Sequence, residues 1–142
     1  MARSFLLEIL TPERSFFSGQ VTSLILPALD GSYGVLAGHA PTVTAVENGV
    51  LEYCTVDGRW HIAAVGRGFV EIVPDAAVLL VATAERPSEI DSKRAERAMA
   101  RAQKRLETLP VSQKEYGFSQ GALARAKARL AAKAKARRNR KS

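Results

Sequence analysis

Val50–Val65 reads VLEYCTVDGRWHIAAV, and its reading decides the fold. Two strand-like runs, Val50–Val56 and Arg59–Val65, flank Asp57-Gly58. An Asp-Gly pair between such runs is a strong short-range hairpin signal, because both residues tolerate the backbone of a tight turn. The same texture extends to either side. SFLLEIL (Ser4–Leu10) reads as a strand ended by Thr11-Pro12, and VTSLILP (Val21–Pro27) as a strand entered from a turn at Ser18-Gly19. TVTAVE (Thr42–Glu47) runs to Asn48-Gly49, FVEIV (Phe69–Val73) follows Gly66-Arg67-Gly68, and AVLLVAT (Ala77–Thr83) follows Pro74-Asp75. Short period-two runs at this spacing predict an antiparallel sandwich or barrel.

The pattern changes at Glu85-Arg86-Pro87. Ser88 is placed to cap a helix, with Asp91 three residues on. Helix formers then continue to Leu109 without Gly or Pro. Ala95, Met99, Ala102, Leu106 and Leu109 step by four and three, a narrow seam of mostly small residues. Pro110 stops this helix, and Val111–Gly121 reads as a connector. A second helix is predicted over 122–138, with Leu123, Ala126, Leu130 and Ala134 on one face, and the last residues, ARRNRKS, as disordered. The fold class is therefore α+β. A β-sandwich domain (1–86) is followed by a two-helix hairpin with a basic tail (87–142). Alanine seams bury little area, so the hairpin is expected to be marginally stable and free to move relative to the sandwich.

The chain has 142 residues, room for one ordinary domain or a small domain with an appendage. Its formal charge of +7 is not an average property. Ala122–Ser142 holds nine Lys/Arg and no acid, while the other residues hold twelve Lys/Arg against fourteen acids, a net of −2. Such a tail suits nucleic acid, anionic lipid or an acidic partner, or is a solvated helix end placing cations at the negative end of its dipole. Lacking interleaved aromatics, ALARAKARLAAKAKARRNRK would bind nucleic acid without reading sequence. No stretch approaches the ~18–20 apolar residues that span a bilayer. The N-terminal apolar run is broken by Glu8 and Glu13, so no signal peptide is expected.

Enzyme chemistry finds little support. Cys54 is alone and lies in a strand pattern, and His39 and His61 have no ligand partners at metal-binding spacing, so neither a catalytic residue nor a metal site is expected. DGSYGVLAGHAP (Asp30–Pro41) concentrates three glycines and a histidine. It lacks the Gly-Lys-Ser/Thr ending of a phosphate loop, so its glycines read as turn residues around a very short strand at Tyr33, Val35 and Leu36. His39 is either a turn residue satisfied by backbone or a surface residue in a partner contact. The arginines say more. Arg94 and Arg101 are seven apart on one helix, with Asp91 a turn before them, and Arg125 and Arg129 are four apart on the other. If the hairpin closes, four guanidiniums converge on a polyphosphate-sized spot. Otherwise they form a solvated cationic face.

In this order, LEILTPER-x-FFSG-x-V (Leu7–Val21), LPALDGSYGVLAGHAP (Leu26–Pro41), ENGVLE (Glu47–Glu52), GRGFVEIVPD (Gly66–Asp75) and EIDSKRAERA-x-x-RAQKRL (Glu89–Leu106) occur along the chain. Together they resemble the epsilon-subunit family of F-type ATP synthases over nearly its whole length. The resemblance implies a sandwich of about ten strands that binds the gamma subunit and touches the c-ring loops, with Ser32 towards the c-ring and His39 towards gamma. It implies a mobile helical domain that inhibits ATP hydrolysis when extended into the head of alpha and beta subunits, and a peripheral position on the cytoplasmic face of a bacterial inner membrane without insertion. Catalysis would lie on other subunits, no cofactor would be required, and nucleic acid would not be a partner. Some family members bind ATP through an I/L-D-x-x-R-A motif. Ile90-Asp91-Ser92-Lys93-Arg94-Ala95 matches it, and Glu85, Arg101, Arg125 and Arg129 match the remaining ligand positions. The resemblance thus implies ATP as a regulatory ligand held by Glu85, Asp91, Arg94, Ala95, Arg101, Arg125 and Arg129. Asp91 would orient Arg94, the arginines would hold phosphates, and Glu85 would accept from the adenine amino group.

Overall fold

The computed structural model describes residues 3–107 and 113–141. Among the described residues nine strands precede the helices: β1 (Phe5–Leu10), β2 (Ser15–Ala28), β3 (Gly31–Val35), β4 (Thr42–Val46), β5 (Gly49–Thr55), β6 (Trp60–Val65), β7 (Gly68–Val73), β8 (Ala76–Val81) and β9 (Ala84–Glu85). Helix α1 spans Ser92–Glu107 and α2 spans Gln113–Lys141. The expected α+β sandwich followed by two helices is present.

The Val50–Val65 hairpin forms as its sequence dictates. β5 and β6 pair antiparallel from Gly49↔Val65 to Cys54↔Trp60. Gly58 supplies the positive φ of the turn, and the Asp57 carboxylate accepts from the Thr55 hydroxyl and the Arg59 amide. Those two hydrogen bonds, Thr55 first, hold the Asp57 carboxyl below the usual carboxylate range.

The strands run in the order β4-β7-β8-β1-β2-β5-β6-β9. β2 is twice the predicted length. Ser18-Gly19 is not a turn: both residues lie inside β2, paired with Glu8 and Leu7 of β1. β2 keeps β5 on one edge, where its register shifts at Thr22, and gives the other edge first to β1, then to β3. Such a bulge lets one strand bend and serve both layers. All pairs are antiparallel except β1 with β8, which run parallel from Leu6↔Ala76 to Leu10↔Leu80. No tight turn joins these two strands, so nothing forces them antiparallel. β9 has no counterpart among the predicted strands: two residues are too few to carry a periodic signal, and pairing to β6 creates it.

Inward residues meet in one core, with Leu7 and Ile9 of β1, Leu24 and Leu26 of β2, Leu51 of β5, Ile72 of β7 and Leu79 of β8 fully buried. Leu51→Ala should cost ~2–5 kcal/mol through lost transfer energy and the cavity left behind. Urea unfolding monitored by tryptophan fluorescence checks this; a loss well under 1 kcal/mol would mean that the site collapses around the smaller side chain.

β6 is buried on both faces from Ile62 to Val65, which explains its unbroken IAAV run. Ala63 and Val65 face the sandwich core, while Ile62 and Ala64 join Ile90 and Ala132 in a second cluster flanked by Val50 and Ala136. α2 thus lies on the outer face of β5 and β6, and the hairpin is folded down on the sandwich. Two ion pairs cross this contact, Arg129 with Glu85 and Lys135 with Glu52, each at 2.8 Å.

The helices depart from the predicted boundaries. Ser88 does not cap α1. It belongs to a 3-10 turn, Pro87–Glu89, and Asp91 is the cap, its carboxylate accepting from the Arg94 amide at 3.1 Å. Asp91 outcompetes Ser88 because the chain is still extended at Ile90, where a helix cannot yet run. The predicted connector is helical from Gln113, through Gly117 and Gly121. Packing against α1 decides this: Ser119 is buried, and tertiary contact offsets the roughly 1 kcal/mol that each helical glycine costs. The C-terminal residues expected to be disordered continue α2 to Lys141. Of the α1 seam, Ala95 and Ala102 are buried and Met99 and Leu106 half-buried; Leu109, Pro110 and the first two connector residues lie outside the described residues. On α2, Ala126 is buried and Leu123, Leu130 and Ala134 half-buried, while Ala128 and Ala132 are buried as well, because α2 packs on the sandwich in addition to α1.

Candidate functional site: an arginine-lined cleft under the helical hairpin

A cleft of about 360 Å³ opens between the strand end, the 3-10 turn and both helices. β9 contributes Glu85, the turn Glu89, the start of α1 Asp91, α1 itself Arg94, Ala95, Ala98 and Arg101, and α2 Arg129. Six of the seven sequence-predicted ligand-site residues therefore come together. Arg125 lines a smaller adjoining hollow with Ala64, Thr83, Ala128, Glu85 and Arg129. The helical period explains the arrangement. Seven residues are about two turns, so Arg94 and Arg101 share a face some 10 Å apart along the axis. Ala95 and Ala98 keep the wall between them low, leaving room for a ligand.

Three carboxylates and three guanidiniums line the cleft, but they are unequally engaged. Arg129 donates through Nε to Glu85 Oε1 at 2.8 Å, both half-buried. Glu89 accepts from Arg14 at 2.9 Å and from Arg86 at 3.1 Å. Asp91 Oδ1 accepts from the Arg94 backbone amide and so caps the start of α1. Among the described residues, no ion pair engages the side chain of Arg94, Arg101 or Arg125. Of these three, Arg94 and Arg101 line the cleft and Arg125 the adjoining hollow. Planar forks lining one cleft are suited to phosphate oxygens, which they can hold two at a time.

Glu89, Arg14 and Arg86 were not singled out by sequence. Glu89 earns its place through Arg14, 75 positions earlier, and no local pattern encodes that meeting. Burial disfavours the Glu89 carboxylate, but hydrogen bonds from Arg14 and Arg86 outweigh it and hold the group below its usual range.

The other predicted positions lie elsewhere. Ser32 is exposed on β3 opposite Pro27 of β2. His39 is half-buried: Nδ1 lies 2.8 Å from the Ala40 carbonyl, which only a protonated nitrogen can approach so closely, and Nε2 therefore accepts from the Tyr33 hydroxyl at 3.0 Å. The ring is held within its own turn, and its partly exposed position leaves it at the surface as well.

A β-sandwich carrying a folded-down helical hairpin, with an arginine-lined cleft between the two, defines an α+β protein of two parts. Comparisons with known proteins make this specific. Residues 4–87 match the family described as ATP synthase, Delta/Epsilon chain, beta-sandwich domain, and residues 88–134 match its long alpha-helix domain. The chain belongs to the ATP synthase delta/epsilon chain family. It is 51% identical over 129 residues to the ATP synthase epsilon chain of Ruminiclostridium cellulolyticum, covering 91% of this chain and 95% of that one. It is 40% identical over 138 residues to that of Syntrophomonas wolfei, covering 95% and 98%. Among solved structures it is similar in fold to a chain of the Euglena gracilis mitochondrial ATP synthase, with a TM-score of 0.81 at 21% identity, covering 91% of this chain and 81% of that one. Among the described residues no helix is long and apolar enough to cross a membrane.

Proposed function

We propose that the chain couples the c-ring to the gamma subunit in the rotor of an ATP synthase and restrains ATP hydrolysis through its helical domain. The observation that carries this reading is the docking of α2. On the α2 side its apolar contact is made by small residues, Ala132 and Ala136 against Ile62, Ala64, Ile90 and Val50, and is flanked by two ion pairs. Alanine burial stabilises little, and half-exposed ion pairs add at most about 1 kcal/mol each. Docked and released arrangements therefore differ by an amount that a ligand or a partner can reverse.

The sandwich offers surface for the rotor partners. Phe69 of β7 stands opposite Leu80 of β8, and both are more than half exposed, as is Val43 of β4. This apolar sheet face suits the gamma subunit. Leu29 and Leu36, exposed beside β3, and Ser32 suit the c-ring loops, with His39 nearer gamma. The chain acts at the membrane surface without inserting, on the cytoplasmic face of a bacterial inner membrane, and catalysis lies on the alpha and beta subunits of the head.

The cleft takes ATP as a regulatory ligand, and no further cofactor is required. Arg94 and Arg101 hold phosphate oxygens, with Arg125 at the margin. Arg129 already neutralises Glu85, so a phosphate reaching Arg129 competes with that carboxylate. Once displaced, Glu85 is available to accept from the adenine amino group. ATP thereby ties α1, α2 and the strand end together and stabilises the docked, non-inhibitory arrangement. When α2 leaves, Arg129 and Lys135, two of the nine cations after Gly121, give up Glu85 and Glu52 and become unpaired on it. That helix is then held by acidic surface of the head, an attraction that salt weakens. Ending the chain after Gly121 should raise the ATPase activity of the assembled enzyme. Unchanged activity, measured at low ionic strength, would remove the basic helix as the inhibitory element.

A further inference from the structure

The segment between the last strand and α1 is fastened to the sandwich by groups that belong to neither helix. Arg14 comes from the turn between β1 and β2, where its carbonyl accepts from the Thr11 amide. Its guanidinium donates to Glu89 Oε2 at 2.9 Å and to the Ala84 carbonyl at 3.2 Å. Arg86 donates through Nη1 to Glu89 Oε1 at 3.1 Å and through Nη2 to the Phe16 carbonyl at 3.0 Å. Both guanidiniums also lie against the buried Phe16 ring, 5.4 and 4.4 Å from its centre, where the ring quadrupole attracts cations. Glu89 completes the turn by accepting from the Arg86 amide at 3.3 Å.

The hydrogen bonds of the main chain show where this fastening stops. On the sandwich side the last is Ile90 N–H to the Pro87 carbonyl, and on the helix side the first is Ala95 N–H to the Asp91 carbonyl. Between them the backbone at Ile90 is extended. The Ile90 side chain packs on Ile62, Ala64 and Ala132, so one of its neighbours belongs to α2 and leaves with it. Releasing α2 breaks the ion pairs of Arg129 and Lys135 but no bond made by Arg14, Arg86 or Glu89.

We propose that Arg14 and Arg86 are positioning residues that pin Pro87–Glu89 to the sandwich through Glu89, so that the helical domain pivots at Ile90–Asp91 and not at the end of the sheet. The clamp keeps Glu85 and Glu89 in place as one fixed wall of the cleft, while α1 and α2 carry the arginines of the other wall in and out. It also spends the Glu89 carboxylate on Arg14 and Arg86, so that its charge is neutralised beside the phosphate position. Because the folded-state carboxyl titrates below its ordinary range, the clamp stays charged wherever an ordinary carboxylate is ionised and is lost only as pH falls through that lowered value.

The proposal rests on the reading that the helical domain moves, and the test separates the two. In the assembled synthase, with Cys54 replaced by Ser, one form carries Arg14→Cys and Glu89→Cys joined by a flexible bis-maleimide. A second carries Glu52→Cys and Lys135→Cys joined in the same way. ATPase activity is compared with that of the unbridged proteins. The 14–89 bridge should leave inhibition and its relief by ATP intact, whereas the 52–135 bridge should abolish inhibition. Loss of inhibition in the 14–89 form as well would place the pivot before Glu89 and overturn the proposal. No effect of the 52–135 bridge would overturn the moving domain itself, and the pivot with it. As a second variant, Arg14→Ala in the full chain should speed hydrogen exchange at the Glu89 amide, which is bonded to the Arg86 carbonyl, whereas Glu52→Gln/Glu85→Gln, which loosens α2, should not. The reverse pattern would contradict the clamp.

Discussion

Replacing Arg94 and Arg101 together by alanine is expected to weaken ATP binding by roughly 10²-fold or more. Each guanidinium that meets a phosphate contributes a charge-assisted hydrogen bond of ~1.5–3 kcal/mol, and each ~1.4 kcal/mol is a factor of ten. The effect should be confined to binding. Both side chains are exposed on α1, and among the described residues neither holds an ion pair whose loss would disturb the fold. Calorimetric titration of the full chain reads the affinity, with far-UV circular dichroism as a check on helix content. Arg125→Ala should do much less, because Arg125 lines the neighbouring hollow. Equal affinity for the double variant and the parent chain would place the phosphates elsewhere.

The largest effect on stability is expected at Gly68. A Cβ added there would stand 1.9 Å from the Leu80 carbonyl oxygen and 2.7 Å from the Val81 Cα, both backbone atoms of the paired strand. Neither can yield without breaking the β7–β8 ladder, which runs from Gly68↔Val81 to Val73↔Ala76. Gly68→Ala should therefore cost at least ~3 kcal/mol, the upper range of overpacking. Gly34→Ala is the control: nothing lies within 4 Å of its added Cβ, and its φ is not positive. Urea midpoints of the two variants should differ clearly; similar midpoints would mean that β8 shifts freely.

How much of this was legible in the sequence follows from the range of each interaction. The β5–β6 hairpin was readable because its signal is local: two apolar runs and an Asp-Gly turn. The unbroken apolar run of β6 carried the trace of α2 on its outer face. The full length of β2, the parallel β1–β8 pair and the two-residue β9 were not readable, since each depends on a partner distant in the chain. The helix boundaries moved for the same reason. Gly117 and Gly121 argue for a loop by propensity, and burial of Ser119 against α1 overrides them. Within the cleft, Arg94, Arg101 and Arg129 were readable because helical spacing fixes their faces before the fold is known. Asp91 was legible as part of the motif, but its bond to the Arg94 backbone was not. Glu89 was silent, because its meaning is supplied by Arg14 and Arg86.

In the proposed function, ATP holds the hairpin in the docked arrangement. Ala132 reports on it most directly, being fully buried between α2 and the sandwich beside Ile62 and Ala64. In a full chain with Cys54→Ser and Ala132→Cys, the rate at which a maleimide reaches position 132 measures how often α2 lifts away. The rate should fall as ATP is added, saturate with the calorimetric affinity, and lose its ATP dependence when Arg94 and Arg101 are also replaced by alanine. A labelling rate that millimolar ATP leaves unchanged would contradict the account.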